Sequence, residues 1–148
     1  MIKSFSSFIL IAIGVFLIDQ NLKSLFLNGF RWNGEYISLI LIFNKGVAFS
    51  MLAFLQEYLK YIQLIIFMMI SIYLVYEKDI FLKYSLPIGI LYGAGIGNLH
   101  DRFVYGGVVD YIYWHKWFDF AVFNFADVMI DFAVVWIIFV SYRKKQND

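Results

Sequence analysis

Apolar residues dominate four stretches of the chain, and polar residues gather between them. The four stretches run from Phe5 to Ser24, Tyr58 to Tyr76, Tyr84 to Leu99 and Phe123 to Tyr142. Each is close to the length of about 20 helical residues that crosses the hydrocarbon core of a bilayer. The pattern therefore predicts four transmembrane helices, joined by two long connections and by a short loop from Glu77 to Lys83.

The connection from Asn28 to Phe54 carries the signals of a small β-sheet. Asn33-Gly34 is a dipeptide typical of two-residue hairpin turns. The run YISLILIF, from Tyr36 to Phe43, is rich in isoleucine and leucine but is too short to cross a membrane as a helix. We therefore expect a small sheet at the membrane surface after the first helix.

The connection from Phe103 to Val122 is dense in aromatic residues. They are Tyr111, Tyr113, Trp114, Trp117, Phe118 and Phe120. Such rings suit the headgroup layer, which satisfies both an apolar body and a polar edge. The expected fold is an all-α membrane core of four transmembrane helices in a single domain, residues 1–148, with a small β-sheet after helix 1, extracytoplasmic if the termini are cytoplasmic, and an interfacial aromatic segment between helices 3 and 4.

Glycines recur along the third apolar stretch. Gly89, Gly93 and Gly97 follow one another at four-residue spacing, which places them on one face of a helix. A second helix can approach such a face closely, so we interpret the glycines as packing positions. The letters GAGIG do not match the G-x-G-x-x-G spacing of a dinucleotide loop, and no strand-turn-helix context surrounds them.

The composition supports the membrane assignment. The 148 residues are 62% hydrophobic and 16% charged, which is more apolar side chain than a soluble domain of this size can bury. Twelve Lys and Arg stand against 11 Asp and Glu without a basic patch, so nucleic acid is not expected as a partner. The chain has no cysteine, which excludes disulfides and cysteine nucleophiles.

Lys3 and the apolar run after it resemble a secretory signal without an A-x-A-like cleavage site, so we expect an uncleaved first helix.

Polar side chains gather at one end of the predicted helices. Asp19 and Lys23 end the first helix as an i,i+4 pair, and Asp131 continues the polar face that opens the fourth. An ionisable group at bilayer depth costs on the order of 2.5 to 3.5 kcal/mol, so each needs an explanation. Any one of them can be an ordinary helix-end residue that meets interfacial water. Seven on one membrane face favour a functional site: Asp19, Asn98, Asp101, Arg102, Asp110, Asn124 and Asp127.

Two of these carboxylates point to a reaction. Asp110 lies in the second long connection, and Asp127 lies 17 residues later, at the start of the fourth apolar stretch. Two carboxylates that share one proton can activate a water molecule against a peptide bond. The sequence gives less support to a metal site or a serine nucleophile. His100 and His115 lack metal-ligand spacing, and nothing in the sequence pairs Ser38 or Ser50 with a base. We therefore expect no metal and no cofactor.

Five motifs occur in the order found in the signal peptidase II, or lipoprotein signal peptidase, family. They are LIDQNLK, FNKGVAFS, GNLHDR, GGVVDYI and FNFAD. The resemblance implies an aspartic endopeptidase of the bacterial cytoplasmic membrane, with four spans, cytoplasmic termini and an active site near the outer face. It implies prolipoprotein substrates, cut before a cysteine that carries diacylglycerol, and contact with membrane lipid. We expect the protein to act as a monomer.

The motifs also carry residue roles. The catalytic pair that the resemblance implies is Asp110 and Asp127. The residues expected to support the pair or to hold the substrate backbone are Asp19, Asn44, Asn98, Asp101, Arg102 and Asn124. Amide and guanidinium groups supply the donors that keep a carboxylate ionised and orient an extended peptide.

Three positions depart from the family pattern. Leu22 replaces a hydroxyl residue, so a polar contact near Asp19 is in question. GAGIGN replaces GGA-x-GN but keeps its small residues. Asp131 stands where a small or hydroxyl residue is expected, and a third carboxylate there can disturb the ionisation of the pair.

Orientation and two other functions stay open at this point. Lys and Arg divide six to six between the two sides, and only Arg143-Lys144-Lys145 favours cytoplasmic termini. A small proton-coupled carrier or channel would also use membrane carboxylates, although it predicts acids distributed through the depth of the spans. A non-catalytic assembly protein would rest on the glycine face alone.

Overall fold

Four long helices form the body of the protein in the computed structural model, which describes residues 1–46 and 53–145. They are α1 (Ile2–Leu27), α2 (Gln56–Tyr76), α3 (Lys78–Val104) and α4 (Phe125–Lys145), with a 3-10 turn at Ala53–Leu55 before α2. Each is long and apolar enough to span a membrane. The four predicted spans are confirmed.

The predicted loop from Glu77 to Lys83 is wrong, because α3 begins at Lys78 and only Glu77 separates it from α2. A kink at Tyr84, where φ is −114° and ψ is 20°, divides α3 three residues before Pro87. Proline has no N–H and its ring clashes with the carbonyl four residues earlier, here that of Lys83. The helix therefore bends at this point and continues to Val104.

Helix α3 lies at the centre of the bundle and packs against the other three helices. Half of the residues in the most apolar segment of α3 are buried, against 6–11% in the corresponding segments of the other helices. The large apolar side chains of those three helices mostly face outward. The glycine face predicted from the sequence packs on α1. A Cβ atom at Gly93 would lie 2.4 Å from the carbonyl oxygen of Ala12, and one at Gly89 would lie 2.9 Å from that of Phe8. The two backbones come this close only because the side chains are absent.

A three-stranded antiparallel sheet covers one end of the bundle, in the order β1 (Trp32–Asn33), β2 (Ile37–Asn44) and β3 (Val108–Trp114). Strand β2 matches the predicted strand. Strand β3 comes from the aromatic connection, whose sequence was interpreted only as an interfacial segment. The sheet thus joins the two long connections, and the pairing of β2 with β3 contains an irregularity between Leu39 and Ile42.

The β1–β2 hairpin exists, but its turn is displaced from the predicted Asn33-Gly34 position. Trp32 pairs with Leu39 and Asn33 pairs with Ser38, which leaves Glu35-Tyr36 at the centre of the turn. The Gly34 N–H donates to the Ile37 carbonyl at 3.1 Å. A Cβ atom at Gly34 would lie 2.3 Å from the ring of Trp32, so this glycine makes room for the indole.

Candidate active site

The predicted polar residues converge at the sheet end of the bundle, around a cavity of about 750 Å³. Its polar lining consists of Asn44, Gln63, Asn98, Arg102, Asp110, Asp127 and Asp131. Apolar side chains complete the walls: Leu59, Ile62, Ile66, Val108, Phe120, Ala121, Val122, Phe123, Val128 and Ile130. The cavity is therefore a mainly apolar chamber in which carboxylates and amides are close to one another.

Strand β3 carries Asp110 into this cavity. Gly106, with φ of 73°, reverses the chain after α3 in a conformation that favours glycine. The Asp110 carboxylate is 1% exposed and accepts two hydrogen bonds, from Asn124 Nδ2 to Oδ1 at 2.7 Å and from Asn44 Nδ2 to Oδ2 at 2.9 Å. Burial, and then the nearby charge of Asp127, raise the pKa of Asp110 to about 7, against the lowering effect of these amides. Asp110 therefore changes its charge near neutral pH.

The first turn of α4 holds Asp127. Asn124 stands just before the helix, and its Oδ1 accepts the Asp127 backbone N–H at 3.0 Å. Asp127 Oδ2 accepts the Asn124 backbone N–H at 3.0 Å, so the two residues cap the helix reciprocally. Asp127 Oδ1 accepts a hydrogen bond from Asn98 Nδ2 at 2.9 Å. All four oxygens of the two carboxylates thus accept a hydrogen bond.

Asn44 and Arg102 form the rim nearest the sheet. Asn44 ends β2, pairs with Val108, and accepts the Gly46 N–H on its Oδ1 at 3.0 Å. Arg102 Nη2 donates to the Gly46 carbonyl at 2.6 Å. In the described part of the chain, Arg102 Nη1 is buried and has no hydrogen-bond partner. Arg102 thus places a positive charge in the cavity wall, with one donor unpaired among the described residues.

A second polar group lies between α1 and α3. Lys23 Nζ is 2.8 Å from Asp19 Oδ2 and 2.7 Å from Asp101 Oδ2, and all three side chains are at most 1% exposed. Gln20 Nε2 donates to Asp19 Oδ2 at 3.1 Å and to Asp101 Oδ1 at 3.2 Å. Asp19 Oδ1 has no hydrogen-bond partner among residues 1–46 and 53–145, and Leu22 supplies no hydroxyl one helical turn away.

All eight residues expected from the motifs therefore belong to two connected groups at one end of the bundle. Tyr111 was expected only as one of the interfacial aromatic rings, but it is 4% exposed and packs inside the protein. Its ring stacks on Phe26 at 4.1 Å and its hydroxyl accepts the Phe125 backbone N–H at 3.1 Å, so it ties β3 to α1 and α4. Burial raises the pKa of Tyr111 to about 12, which keeps the hydroxyl neutral. Tyr111 lies within the GGVVDYI motif, but neither the motif nor the periodicity indicated this contact.

One expectation about serine was wrong. Ser38 Oγ lies 2.9 Å from His115 Nε2, although the sequence indicated no base for it. Ser38 is on β2 opposite Tyr113, and His115 follows β3, so only strand pairing brings them together. Ser50, like residues 47–49 of the FNKGVAFS motif, lies outside the described residues. Across residues 1–46 and 53–145, no three His, Asp or Glu side chains converge in a metal-ligand group.

A family model described as signal peptidase (SPase) II matches residues 11–143. The lipoprotein signal peptidase of Sulfurimonas denitrificans is 52% identical over 144 residues, covering 97% of this chain and 93% of that protein. The chain belongs to the signal peptidase II family. The lipoprotein signal peptidase of Helicobacter acinonychis is 45% identical over 153 residues, with 99% and 98% of the two chains covered.

Solved structures are similar to this signal peptidase II family member along nearly its whole length. A bacterial membrane enzyme determined by the in meso method at 2.3 Å resolution matches with a TM-score of 0.77 and 26% identity, covering 97% of this chain and 92% of that one. A second, at 1.9 Å resolution, matches with a TM-score of 0.70 and 27% identity, covering 90% and 91%. The four-helix architecture with a small sheet is therefore shared with these two bacterial membrane enzymes.

Proposed function

We propose that this protein is an aspartic endopeptidase whose catalytic pair is Asp110 and Asp127. Membership of the signal peptidase II family makes it a multi-pass bacterial membrane peptidase that removes signal peptides from prolipoproteins. The proposal adds the catalytic class, the residues and the bond that is cut, which precedes the diacylglyceryl-modified cysteine.

The observation that carries the proposal is the shared cavity of the two carboxylates. Asp110 and Asp127 come from different elements, line the same chamber, and are linked through Asn98 and Asn124. Since the pKa of Asp110 is raised to about 7 while Asp127 lies nearby, the pair can hold one proton at neutral pH. Such a monoprotonated pair is the working state of an aspartic peptidase.

The reaction follows from this state. The ionised carboxylate takes a proton from a water molecule as it attacks the scissile carbonyl carbon, and the protonated carboxyl donates to the carbonyl oxygen. The resulting tetrahedral intermediate then collapses and the C–N bond breaks. The departing amine takes up the proton that the first carboxylate removed from water, and the second carboxylate recovers a proton from a hydroxyl of the intermediate, which restores the monoprotonated pair. The amides of Asn44, Asn98 and Asn124 keep both carboxylates in place, because each donates to one of their oxygens.

Arg102 and the cavity walls supply the substrate contacts in this proposal. A peptide bond inside a helix offers no accessible carbonyl, so the scissile segment must be extended. The Nη1 of Arg102, which has no hydrogen-bond partner among the described residues, can donate to a carbonyl of that segment, since Nη2 is already held by Gly46. The apolar walls suit the signal-peptide side chains and the acyl chains of the lipidated cysteine. The enzyme would therefore bind the lipid chains of its substrate in addition to being surrounded by membrane lipid.

Orientation and assembly are further parts of the proposal. The Arg143-Lys144-Lys145 cluster favours cytoplasmic termini by the positive-inside rule. Since α1 begins and α4 ends on the side opposite the sheet, the site would be near the outer face. One chain supplies both aspartates and their amide partners, which supports a monomeric enzyme.

The test is cleavage of a purified diacylglyceryl-modified prolipoprotein by Asp110→Asn, Asp127→Asn and the double variant. Each single change should abolish turnover, and the double variant should be scarcely worse, because residues that act as a unit are non-additive. Asp79→Asn, at the opposite end of α3, is the matched control and should cleave normally. A folded Asp110→Asn or Asp127→Asn enzyme that still cleaves would refute the pair.

A further inference from the structure

Lys23 is a buried cation that the reaction scheme above does not use. It is 1% exposed, although it lies near the end of a membrane-spanning helix. Its Nζ contacts three oxygens at hydrogen-bond distance: Asp19 Oδ2 at 2.8 Å, Asp101 Oδ2 at 2.7 Å and Asn98 Oδ1 at 2.8 Å. An ammonium group has three donors, so all of them are occupied.

The contact with Asn98 determines which way that amide points. An ammonium group can only donate, so the carbonyl oxygen of the Asn98 amide must face Lys23. The Nδ2 group then faces the opposite direction, where it donates to Asp127 Oδ1 at 2.9 Å. The same Asn98 oxygen accepts a hydrogen bond from Asn124 Nδ2 at 3.2 Å, and Asn124 Nδ2 also donates to Asp110 Oδ1. Lys23 is thus one hydrogen bond from the Asn98 amide, which holds Asp127, and two hydrogen bonds from the Asn124 amide, which holds Asp110.

A second path runs through Asp101. Its Oδ2 accepts from Lys23 and also from the backbone N–H of Val109 at 3.1 Å. Val109 directly precedes Asp110 and is fully buried. The ion pair therefore anchors the strand that carries Asp110, independently of the Asn98 contact.

We propose that Lys23 is a positioning residue for peptide-bond cleavage, which orients the Asn98 amide toward Asp127 and anchors β3 through Asp101. This inference rests on the proposed roles of Asp110 and Asp127. Lys23 itself does not reach the scissile bond. Its effect on the rate passes through Asn98 and Asp101.

The charges around Lys23 predict a pH effect as well. Asp19 faces it from α1, Asp101 from α3, Asp110 from β3 and Asp127 from α4. On α3, Arg102 adds positive charge near the same carboxylates, and His100 Nδ1 lies 3.6 Å from Asp101 Oδ1. The positive charge of Lys23 is among the influences that lower the pKa of Asp110. Removing it should therefore move the cleavage profile toward higher pH.

The first experiment compares Lys23→Met with the control Lys60→Met. Lys60 lies in the first turns of α2, at the same end of the bundle, and its ammonium group lies over the rings of Tyr61 and Phe103. Methionine keeps an unbranched side chain without the charge. For Lys23→Met we expect kcat to fall about a hundredfold, the scale of a roughly 1 Å misplacement of catalytic groups. KM should stay within about twofold, because substrate contacts are retained. Lys60→Met should match the unmodified enzyme.

A second variant separates positioning from charge balance. Lys23→Met leaves Asp19 and Asp101 buried without their cation, which by itself can prevent folding. Lys23→Met combined with Asp19→Asn removes one carboxylate and relieves that imbalance. We expect this double variant to be recovered folded but to keep the low kcat, since Asn98 still lacks its orienting donor. A folded double variant with the original rate and pH profile would overturn the proposal, and so would failure of both variants to fold.

A double-mutant cycle with Asn98→Leu tests the path. If Lys23 acts through Asn98, adding Lys23→Met to Asn98→Leu should lower kcat much less than Lys23→Met does alone. Fully additive losses would contradict the coupling. Cleavage by Asp110→Asn would instead refute the catalytic pair whatever the lysine variants do, so the two failures are distinguishable.

Discussion

Asn44 should control the pH at which the enzyme works. Its Nδ2 donates to Asp110 Oδ2 at 2.9 Å, a hydrogen bond that stabilises the ionised carboxylate. The change Asn44→Leu removes this donor and keeps a side chain of similar size. The Asp110 carboxyl should then retain its proton to a higher pH, since burial and the charge of Asp127 already raise its pKa to about 7.

The size of the effect follows from the bond that is lost. A hydrogen bond to a charged group contributes about 1.5 to 3 kcal/mol. One pKa unit corresponds to about 1.36 kcal/mol, so complete loss of this hydrogen bond would raise the pKa of Asp110 by about one to two units. Asn44 is only partly buried, and water entering its place can replace some of the interaction. We therefore expect the lower end, a rise of about one pH unit.

The assay is the initial rate of prolipoprotein cleavage measured from about pH 5 to about pH 10, with kcat fitted to a bell-shaped profile. Both limbs belong to the coupled pair, so the whole profile should move upward. Asn28→Leu, at the exposed end of α1, is the control and should leave the profile in place. A folded Asn44→Leu enzyme with a lower rate but an unchanged profile would refute the reasoning, because the amide would then not affect the ionisation of the pair.

Three further predictions concern the third carboxylate, the lipid and the glycine face. Asp131 is exposed to the cavity one turn beyond Asp127, so Asp131→Asn should keep activity and shift the profile toward lower pH as one negative charge is lost; a folded but inactive variant would place Asp131 in the pair. Prolipoprotein without the diacylglyceryl group should be cut poorly in a matched gel assay, because its cysteine is no longer held at the membrane, and equal rates on both forms would contradict this. Gly93→Ala would place a Cβ 2.4 Å from the Ala12 carbonyl oxygen. It should lower the free energy of unfolding in detergent by about 1 to 3 kcal/mol, whereas Gly14→Ala, with open space around it, should not.

The membrane core could be predicted from local sequence. In a bilayer, a spanning segment must satisfy its own backbone hydrogen bonds, so a long apolar run has to be a helix wherever it packs. The i,i+4 spacing of Asp19 and Lys23 likewise placed them on one face of the first helix, where the structure shows them as an ion pair. The spacing of Gly89, Gly93 and Gly97 likewise predicted a close helix contact.

The candidate site itself was predicted only as a set of residues. Motif order identified the eight polar residues, and helix periodicity placed most of them at one end of the bundle. Neither could say that Asn98 lies between Lys23 and Asp127, because those contacts join α1, α3 and α4. Contacts between distant segments depend on how the helices rotate against one another.

The sheet shows the same limit more clearly. The apolar run of β2 predicted a strand, but the hairpin turn moved to Glu35-Tyr36 and β3 was not foreseen. Strand register depends on the partner strand and on packing, and a local turn signal such as Asn33-Gly34 can be overridden by both. The sequence by itself determined the spans, the glycine face and the identity of the polar residues. Three features were decided only by the tertiary structure: the pairing of the strand that holds Asp110, the contact of Ser38 with His115, and the Asn98 and Asn124 amides that connect the two carboxylates. Each requires residues far apart in the chain to pack together.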